Sequence, residues 1–311
     1  MTVEIYEVII LGGGVAGLTA GLYTARAGLK TLAVDRKALG GRLNEIPVIL
    51  NFPGFPEGIL GYELSQRMVA HAQRFGVELR YPEDVVAIEF KGEQKLVRTR
   101  TRVYQSDAVI VATGTQRRRL LVQGEAEYLG RGVSYCAVCD APLIRDMRVA
   151  VVGYGDEAVD DVLLASDFAN SVFLVFDREE IEAGKALKLR VKTNITLLPN
   201  SKVTMVEGDG VVVKSIRLLD VKTGTERSLP VEGVFIALGV VPMTELTKNA
   251  GVEVDERGCI KVTRRQHTNI EGVYAAGDCT CGGMQVVTAA GEGAVAGISA
   301  VAYVKKLKRK I

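Results

Sequence analysis

Histidine is scarce in this 311-residue chain, with two copies, and cysteine is limited to five. His71 and His267 both read as ordinary surface or core residues, so imidazole chemistry is not expected. A structural zinc site is disfavoured on spacing. Outside Cys136-x-x-Cys139 the candidates are Cys259, Cys279, Cys281, His71 and His267, with no second C-x-x-C or H-x-x-x-H arrangement. Five cysteines are also too few and too clustered for a disulfide scaffold, which leaves Cys136-x-x-Cys139 to be read as catalytic. Charge of one sign is not in excess, and a formal net charge of +2 gives no reason to expect nucleic acid or a membrane as partner. No window reaches the roughly 18 apolar residues of a membrane span. Met1 to Glu7 carries no basic stretch followed by an apolar core and a cleavage site, so the chain is expected to be cytoplasmic.

What is present is a composition of 48% hydrophobic and 24% charged residues with 34 glycines, the balance of a compact α/β protein long enough for two domains. Glu7-Val-Ile-Ile-Leu11 is a short β-branched run suited to a buried parallel strand. It feeds into Gly12-Gly13-Gly14-Val15-Ala16-Gly17 and a helix-length stretch ending near Ala27-Gly28. The next apolar run, Thr31-Leu-Ala-Val34, stops at Asp35, about 20 residues after the first glycine, where a carboxylate reaches a ribose hydroxyl. Glycines suit this place because the turn is tight, the backbone approaches a pyrophosphate and the helix packs on the strand. This is a dinucleotide fingerprint.

The pattern recurs at Arg148-Val-Ala-Val-Val152, Gly153-x-Gly155-x-x-Ala158, a helix to about Phe168, and Val172-Phe-Leu-Val-Phe176 ending in Asp177-Arg178. Val109-Ile-Val-Ala-Thr-Gly114 and Val234-Phe-Ile-Ala-Leu-Gly239 echo each other, one per half. Val241-Pro242 then reads as a crossover. Gly272 to Asp278, Gln285 and a glycine- and alanine-rich helix from Val287 to Ala302 return to the first domain. The expected fold is α/β, with two Rossmann-like three-layer domains, the second inserted in the first. Residues 1–114 and 243–311 form one domain, and 115–242 form the central one carrying the C-x-x-C.

Over nearly its whole length the chain resembles the low-molecular-weight thioredoxin reductase family. Gly12-x-Gly14-x-x-Gly17, Gly40-Gly41, Asn51-Phe-Pro-Gly54, Ala112-Thr113-Gly114, Cys136-x-x-Cys139-Asp140, Gly277-Asp278 and Gln285-Val-Val-Thr-Ala-Ala-Gly-Glu-Gly293 carry the resemblance in one order. It implies FAD at the first fingerprint, held by Gly12, Gly14, Val15, Ala16, Gly17, Asp35, Arg36, Gly41, Arg42, Asn51, Thr113, Gly114, Gly277, Asp278, Gln285 and Val286. Asp35 lies near the adenosine ribose in that reading, and Asp278 on the ribityl chain or diphosphate, or as a helix N-cap. It further implies that Cys139 faces the flavin and Cys136 attacks a thioredoxin-like or glutaredoxin-like protein through a mixed disulfide. Asp140 is then the proton carrier, or else the cap of a turn before Ala141-Pro142. A homodimer and a rotating central domain belong to the same expectation.

The resemblance breaks at the second fingerprint. NADPH-using members carry His-Arg-Arg after the second-domain strand and a further arginine beyond. Here the stretch is Phe176-Asp177-Arg178-Glu179-Glu180-Ile181-Glu182, with only Arg178 surviving. A carboxylate beside a phosphate charge costs about 4 kcal/mol per unit pair at an effective dielectric near 20. NADPH is disfavoured. Asp177 suits the ribose of NADH, so a second nucleotide site of Gly153, Gly155, Asp156, Glu157, Ala158, Asp177 and Arg178 is compatible with that donor. Glu157, Asp160 and Asp161 read as an exposed helix face, or as acids that repel any dinucleotide, and the resemblance extends to relatives that have lost nicotinamide recognition and take electrons from ferredoxin or another carrier. Cys279-Thr280-Cys281 reads as small buried thiols, or as a second redox couple. The tail Lys305 to Lys310 reads as a solvated helix end, or as a dock for an acidic carrier. Two other functions share these features: a dithiol oxidase passing electrons to oxygen, and a flavin redox sensor that does not turn over.

Overall fold

The structure, a computed structural model, describes residues 3–92, 94–181, 189 and 192–309. Glu182 and Lys310, named above, lie outside the described residues. The chain divides into two compact units, Met1–Gln116 with Val241–Ile311, and Arg117–Val240.

In the first unit β1 (Val3–Leu11) leads into α1 (Val15–Arg26) and β2 (Thr31–Val34). There follow α2 (Gly61–Arg74), β3 (Glu78–Arg80), and an antiparallel run of β4 (Val85–Lys91), β5 (Gln94–Thr99) and β6 (Val103–Val111). The sheet order is β3-β2-β1-β6-β5-β4. β1 runs parallel to both neighbours, with Val8 beside Thr31 on one side and Ala108 on the other. A parallel strand covered on both faces must be apolar at every position, and β1 is so from Val8 onward. Val8 and Ile10 pack with Leu18, Ala20 and Ala72 of the two helices. Ile9 and Leu11 pack on the opposite side with Ile88 and Val97. The strand begins earlier than the apolar run at Glu7 suggests, because Val3 and Ile5 alternate to the exposed side while pairing with β6.

The second unit repeats the plan. β7 (Val133–Ser134) precedes α3 (Ala137–Asp140), then β8 (Arg148–Val152), α4 (Asp156–Ser166), β9 (Ser171–Val175) and β10 (Ile195–Leu198) follow. A meander of β11 (Ser201–Gly208), β12 (Val213–Asp220) and β13 (Glu226–Pro230) comes before β14 (Gly233–Ile236). The parallel sheet has the order β7-β14-β8-β9-β10, and the meander is antiparallel. Val149 and Val151 pack on Ala158, Val162 and Ala165 of α4. Ala150 and Val152 pack on Val203, Val213 and Ile216 of the meander.

The chain returns to the first unit through α5 (Glu245–Asn249), β15 (Val273–Ala275) and α6 (Val286–Lys308). β15 lies parallel to β6 with Val273 beside Val109. α6 outruns the expected Val287–Ala302, and at 23 residues, with a mean hydropathy of 1.4 over an 18-residue window, it is by length and composition alone apolar enough to cross a membrane, as a core helix also can be. That corrects the expectation that no window qualifies. Its small residues turn toward α1: a Cβ at Gly293 would stand 2.3 Å from the Ala16 carbonyl oxygen, and one at Gly297 would stand 2.9 Å from that of Ala20. Its last turn carries Lys305, Lys306 and Lys308, which suits a helix C-terminus, and Lys308 pairs with Glu7.

Candidate active site

The first unit builds a cradle at the carboxyl end of β1. Gly12, at φ 110°, lets the turn pass the β6 side: a Cβ there would sit 2.2 Å from the Ala112 carbonyl oxygen. Gly17 closes the helix onto the turn, where a Cβ would meet the Gly12 oxygen at 1.9 Å. Gly14 caps α1 with no side-chain bond to the helix start, nothing stands within 4 Å of its missing Cβ, and the first turn, Val15 and Ala16 included, holds no acid. The N–H groups of that turn are therefore directed at open space. Asp35, just past β2, accepts from Gly13 N and from Lys37 N at 2.7 Å each, and Arg36 beside it is exposed.

Asp278 accepts from Arg42 Nη1 at 2.8 Å, and the same nitrogen donates to Thr115 Oγ1 at 3.1 Å. The capping role offered for Asp278 is absent: Gly277 is the cap residue of this short turn, and the Asp278 carboxylate makes no cap bond. Gly277 N donates to Glu292 Oε2 at 2.7 Å, and Thr280 Oγ1 donates to the same oxygen at 2.9 Å. Burial raises the Glu292 carboxyl above its ordinary value. Glu292 stands in the quoted motif, yet the sequence alone did not mark it as the acid that fixes Gly277. Gly41 brings Arg42 in beside Gly14, with a would-be Cβ 3.2 Å from the Gly14 Cα. Asn51 Nδ2 donates to Gln285 Oε1 at 3.1 Å, and Gln285 caps α6, whose first residue is Val286, in a reciprocal box with Thr288. Thr113 Oγ1 is buried with no partner among the described residues, beside Gly114, whose Cβ position is open.

In the second unit Cys136 and Cys139 are joined as a disulfide with Cα atoms 5.3 Å apart. Cys136 is the N-cap of α3, and its sulfur accepts from Cys139 N at 3.2 Å. Asp140 makes no capping bond to the turn that follows, contrary to the plainer of the two sequence readings. Its Oδ2 accepts from Ser134 Oγ at 2.5 Å, and Ser134 Oγ accepts from Cys136 N at 3.0 Å. Ser134 therefore ties the acid to the backbone of the first cysteine. Tyr135, between them, donates its hydroxyl to the buried Glu125, and Glu125 also accepts from Leu120 N at 3.0 Å and Leu121 N at 2.7 Å. Neither Ser134 nor Glu125 belongs to a motif that flags it.

The second glycine turn copies the first in backbone and departs from it in charge. A Cβ on Gly153 would meet the Ala237 oxygen at 2.1 Å, Gly155 caps α4, and Ala158 is buried. The first turn of α4 carries Asp156 and Glu157. A Cβ on Gly239 would stand 3.7 Å from Glu157 Oε2. Burial, reinforced by Glu157 and Asp160, pushes Asp161 up to about 7. Glu157 and Asp160 are exposed, as the helix-face reading expects, whereas Asp161 is partly buried. The Arg178 guanidinium lies 3.8 Å from the Tyr154 ring centroid, within the turn, while Asp177 is exposed and Glu179 pairs with Lys222 at 2.6 Å.

The Cys279/Cys281 couple is not formed. Cys281 is bonded to Cys259, 22 residues away, with Cα atoms 5.7 Å apart. Cys279 is a buried free thiol within reach of the Val111 and Ala276 oxygens, and burial pushes it up to about 12. The Cys259–Cys281 pairing was not among the sequence expectations.

Two Rossmann-type units, one of them holding a C-x-x-C disulfide at a helix start, define a disulfide oxidoreductase. A family model described as pyridine nucleotide-disulphide oxidoreductase matches residues 6–293. The thioredoxin reductase of Listeria innocua is 40% identical over 311 residues, covering 99% of this chain and 97% of that one. The crystal structure of thioredoxin reductase from Streptococcus pyogenes has a TM-score of 0.93 at 35% identity, covering 97% of this chain and 99% of that one. A ferredoxin-flavin thioredoxin reductase from Clostridium acetobutylicum gives 0.52 at 31% identity, covering 99% and 100%. The chain belongs to the pyridine nucleotide-disulphide oxidoreductase family, and within it is an FAD disulfide oxidoreductase of the thioredoxin reductase type.

Proposed function

We propose that this enzyme reduces the disulfide of a thioredoxin-like or glutaredoxin-like protein through Cys136 and Cys139, drawing electrons from a donor other than NADPH. The observation that carries the donor reading is the contrast between two helix starts. α1 opens with no acid in its first turn, whereas α4 opens with Asp156 and Glu157. A helix N-terminus attracts phosphate through its dipole and free N–H groups, and two carboxylates in that turn oppose it. Arg178, the one cation left from the 2′-phosphate pattern, is stacked on Tyr154.

The first cradle fits FAD. The open Cβ positions of Gly14 and Gly114 leave room for a close backbone approach, and the orphaned Thr113 Oγ1 needs a hydrogen-bond partner. Asp35 would serve the adenosine ribose, the α1 start the diphosphate, and Asp278 with Arg42 the ribityl region. FAD, when bound, supplies a two-electron carrier.

Opening the Cys136–Cys139 bond takes two electrons and two protons and leaves a dithiol. Asp140, whose carboxylate accepts from Ser134, gives and recovers the proton at the sulfurs in this reading. Cys136, as thiolate, attacks one sulfur of the partner's disulfide and releases the other as a thiol. Cys139 then attacks Cys136 Sγ, restoring the ring disulfide and freeing the second partner thiol. Asp177 at the strand end favours NADH as one donor, and the ferredoxin-flavin relative favours ferredoxin as another. A cytoplasmic homodimer belongs to the same reading.

Anaerobic titration of the flavin's visible absorbance with NADH, NADPH and reduced ferredoxin tests it. Bleaching by NADH or ferredoxin with none by NADPH is expected, and efficient bleaching by NADPH would overturn the donor reading. Cys136→Ser keeps the bleaching and loses thioredoxin reduction. Rapid peroxide release from a small dithiol, without thioredoxin turnover, would favour the oxidase instead.

A further inference from the structure

We infer that the Cys259–Cys281 disulfide is a second thiol-exchange site, distinct from the Cys136/Cys139 pair, and that its state governs how firmly the first unit holds FAD. The inference rests on the reading of the glycine cradle as the FAD site.

Cys281 ends the short turn Asp278–Thr280 and stands at φ 59°, a left-handed conformation that a residue bearing a Cβ rarely adopts unless something holds it there. Its N–H donates to the Asp278 oxygen at 3.0 Å, so its backbone is continuous with the placement of Asp278. The opposite anchor is rigid: Cys259 is 3% exposed, its N–H donates to Asp255 Oδ1 at 2.9 Å, and its oxygen accepts from Asp255 N at 2.8 Å. The neighbouring Ile260 N donates to the Cys279 oxygen at 2.9 Å. The covalent bond thus fastens the turn carrying Asp278 to a fixed loop, and Asp278 in turn holds Arg42 at 2.8 Å.

The three cysteines of this region have separate chemical fates. Cys279, fully buried and with its thiol pushed up to about 12, stays protonated and does not exchange with the disulfide beside it. Cys281 is partly exposed and Cys259 is buried, so an incoming thiolate meets the Cys281 sulfur first. The reductant is a protein dithiol of the thioredoxin class, the product of the proposed reaction. One thiolate of the dithiol attacks Cys281 Sγ, the bond to Cys259 breaks, and Cys259 takes up a proton. The second thiol of the reductant then resolves the mixed disulfide, freeing Cys281 as a thiol and leaving the reductant oxidised. Two electrons and two protons pass from reductant to disulfide. Freed from the bond, Cys281 relaxes toward an ordinary conformation and the Asp278 turn loosens. Accumulated product would in this way weaken the enzyme's hold on its own cofactor.

The test uses the FAD-loaded full chain carrying Cys136→Ser and Cys139→Ser, so that the only remaining disulfide among the described residues is Cys259–Cys281. Alkylation under denaturing conditions and peptide mass mapping should label Cys279 alone before treatment with reduced thioredoxin, and Cys259, Cys279 and Cys281 after it. Flavin release, followed by the fluorescence of free FAD on dilution, should quicken about tenfold or more on reduction. Cys259→Ser should release flavin at the fast rate without any reductant and show no further response to one. Labelling of Cys259 and Cys281 in the untreated protein would overturn the inference, as would a release rate unchanged by reduction in a protein that binds FAD. A chain that fails to bind FAD at all would overturn the cradle reading together with it.

Discussion

Asp161→Asn isolates the electrostatic cost stored behind the second glycine turn. Burial, with Glu157 and Asp160 nearby, moves Asp161 from 3.8 to about 7 in the folded chain. Between those values the native state keeps a proton that the unfolded chain gives up, so the native state binds more protons and stability falls as pH rises through the window. A displacement of that size corresponds to about 4 kcal/mol at full burial, and solvent screening at a partly buried position reduces it to about 1–2 kcal/mol. Asparagine keeps the shape and removes the ionisation. The variant should match the parent near pH 4, gain stability steadily up to about pH 7 and hold a constant advantage above it, worth a few degrees in thermal midpoint. Thermal unfolding of the full enzyme followed across this pH range reads it directly. A gain that is the same at both ends of the range, or no gain on the alkaline side, would refute the assignment of the cost to this carboxyl.

Three further substitutions probe the scaffolds of the two units. Glu125→Ala strands Leu120 N, Leu121 N and the Tyr135 hydroxyl together and should cost about 3 kcal/mol, against about 1 kcal/mol for Tyr135→Phe, which removes one bond. Equal urea midpoints for the two variants would show that Glu125 does not organise the approach to Cys136. Gly293→Val drives a side chain into the Ala16 carbonyl, 2.3 Å from the would-be Cβ, and should cost about 3 kcal/mol or more, with loss of FAD from the purified protein. Retention of FAD and an unchanged midpoint would mean that α1 and α6 separate more readily than their packing implies.

Where local geometry dictated residue type, the sequence was readable. The run Thr31 to Val34 led to a strand ending at Asp35, while the bond that Asp35 accepts from Gly13 N across the tight βα turn was not part of that reading. The second copy was equally readable at Gly153 and Ala158, where backbone approach forbids anything larger. Contacts set by the whole fold were not. Arg42 and Asp278 are 236 residues apart and Cys259 and Cys281 are 22 apart, and nothing in spacing announces either pairing. Of the two readings of Cys279-Thr280-Cys281, the buried thiol holds for Cys279 and the redox couple does not form, since Cys279 turns into the core and Cys281 caps a turn. The meander of the second unit, with its short alternating strands, carries no glycine fingerprint and was not foreseen. Sequence also underrated α6, whose alanines and glycines are apolar without looking like a long hydrophobic span.

The late arrival of β15 sets a timetable for synthesis. β6 holds β5 along its first half and waits for Val273–Ala275 to cover its second half, a partner 164 residues downstream at Val273 and Val109. α1 likewise waits for Gly293 and Gly297. Residues Arg117–Val240 contain all five strands of their own parallel sheet and emerge from the ribosome before those pieces exist. The dithiol-bearing unit is therefore expected to mature first, and the first unit to close around a gap in its own sequence only as the last helix is made. Proteolysis of stalled nascent chains should find the middle of the protein protected while its beginning is still open to cleavage.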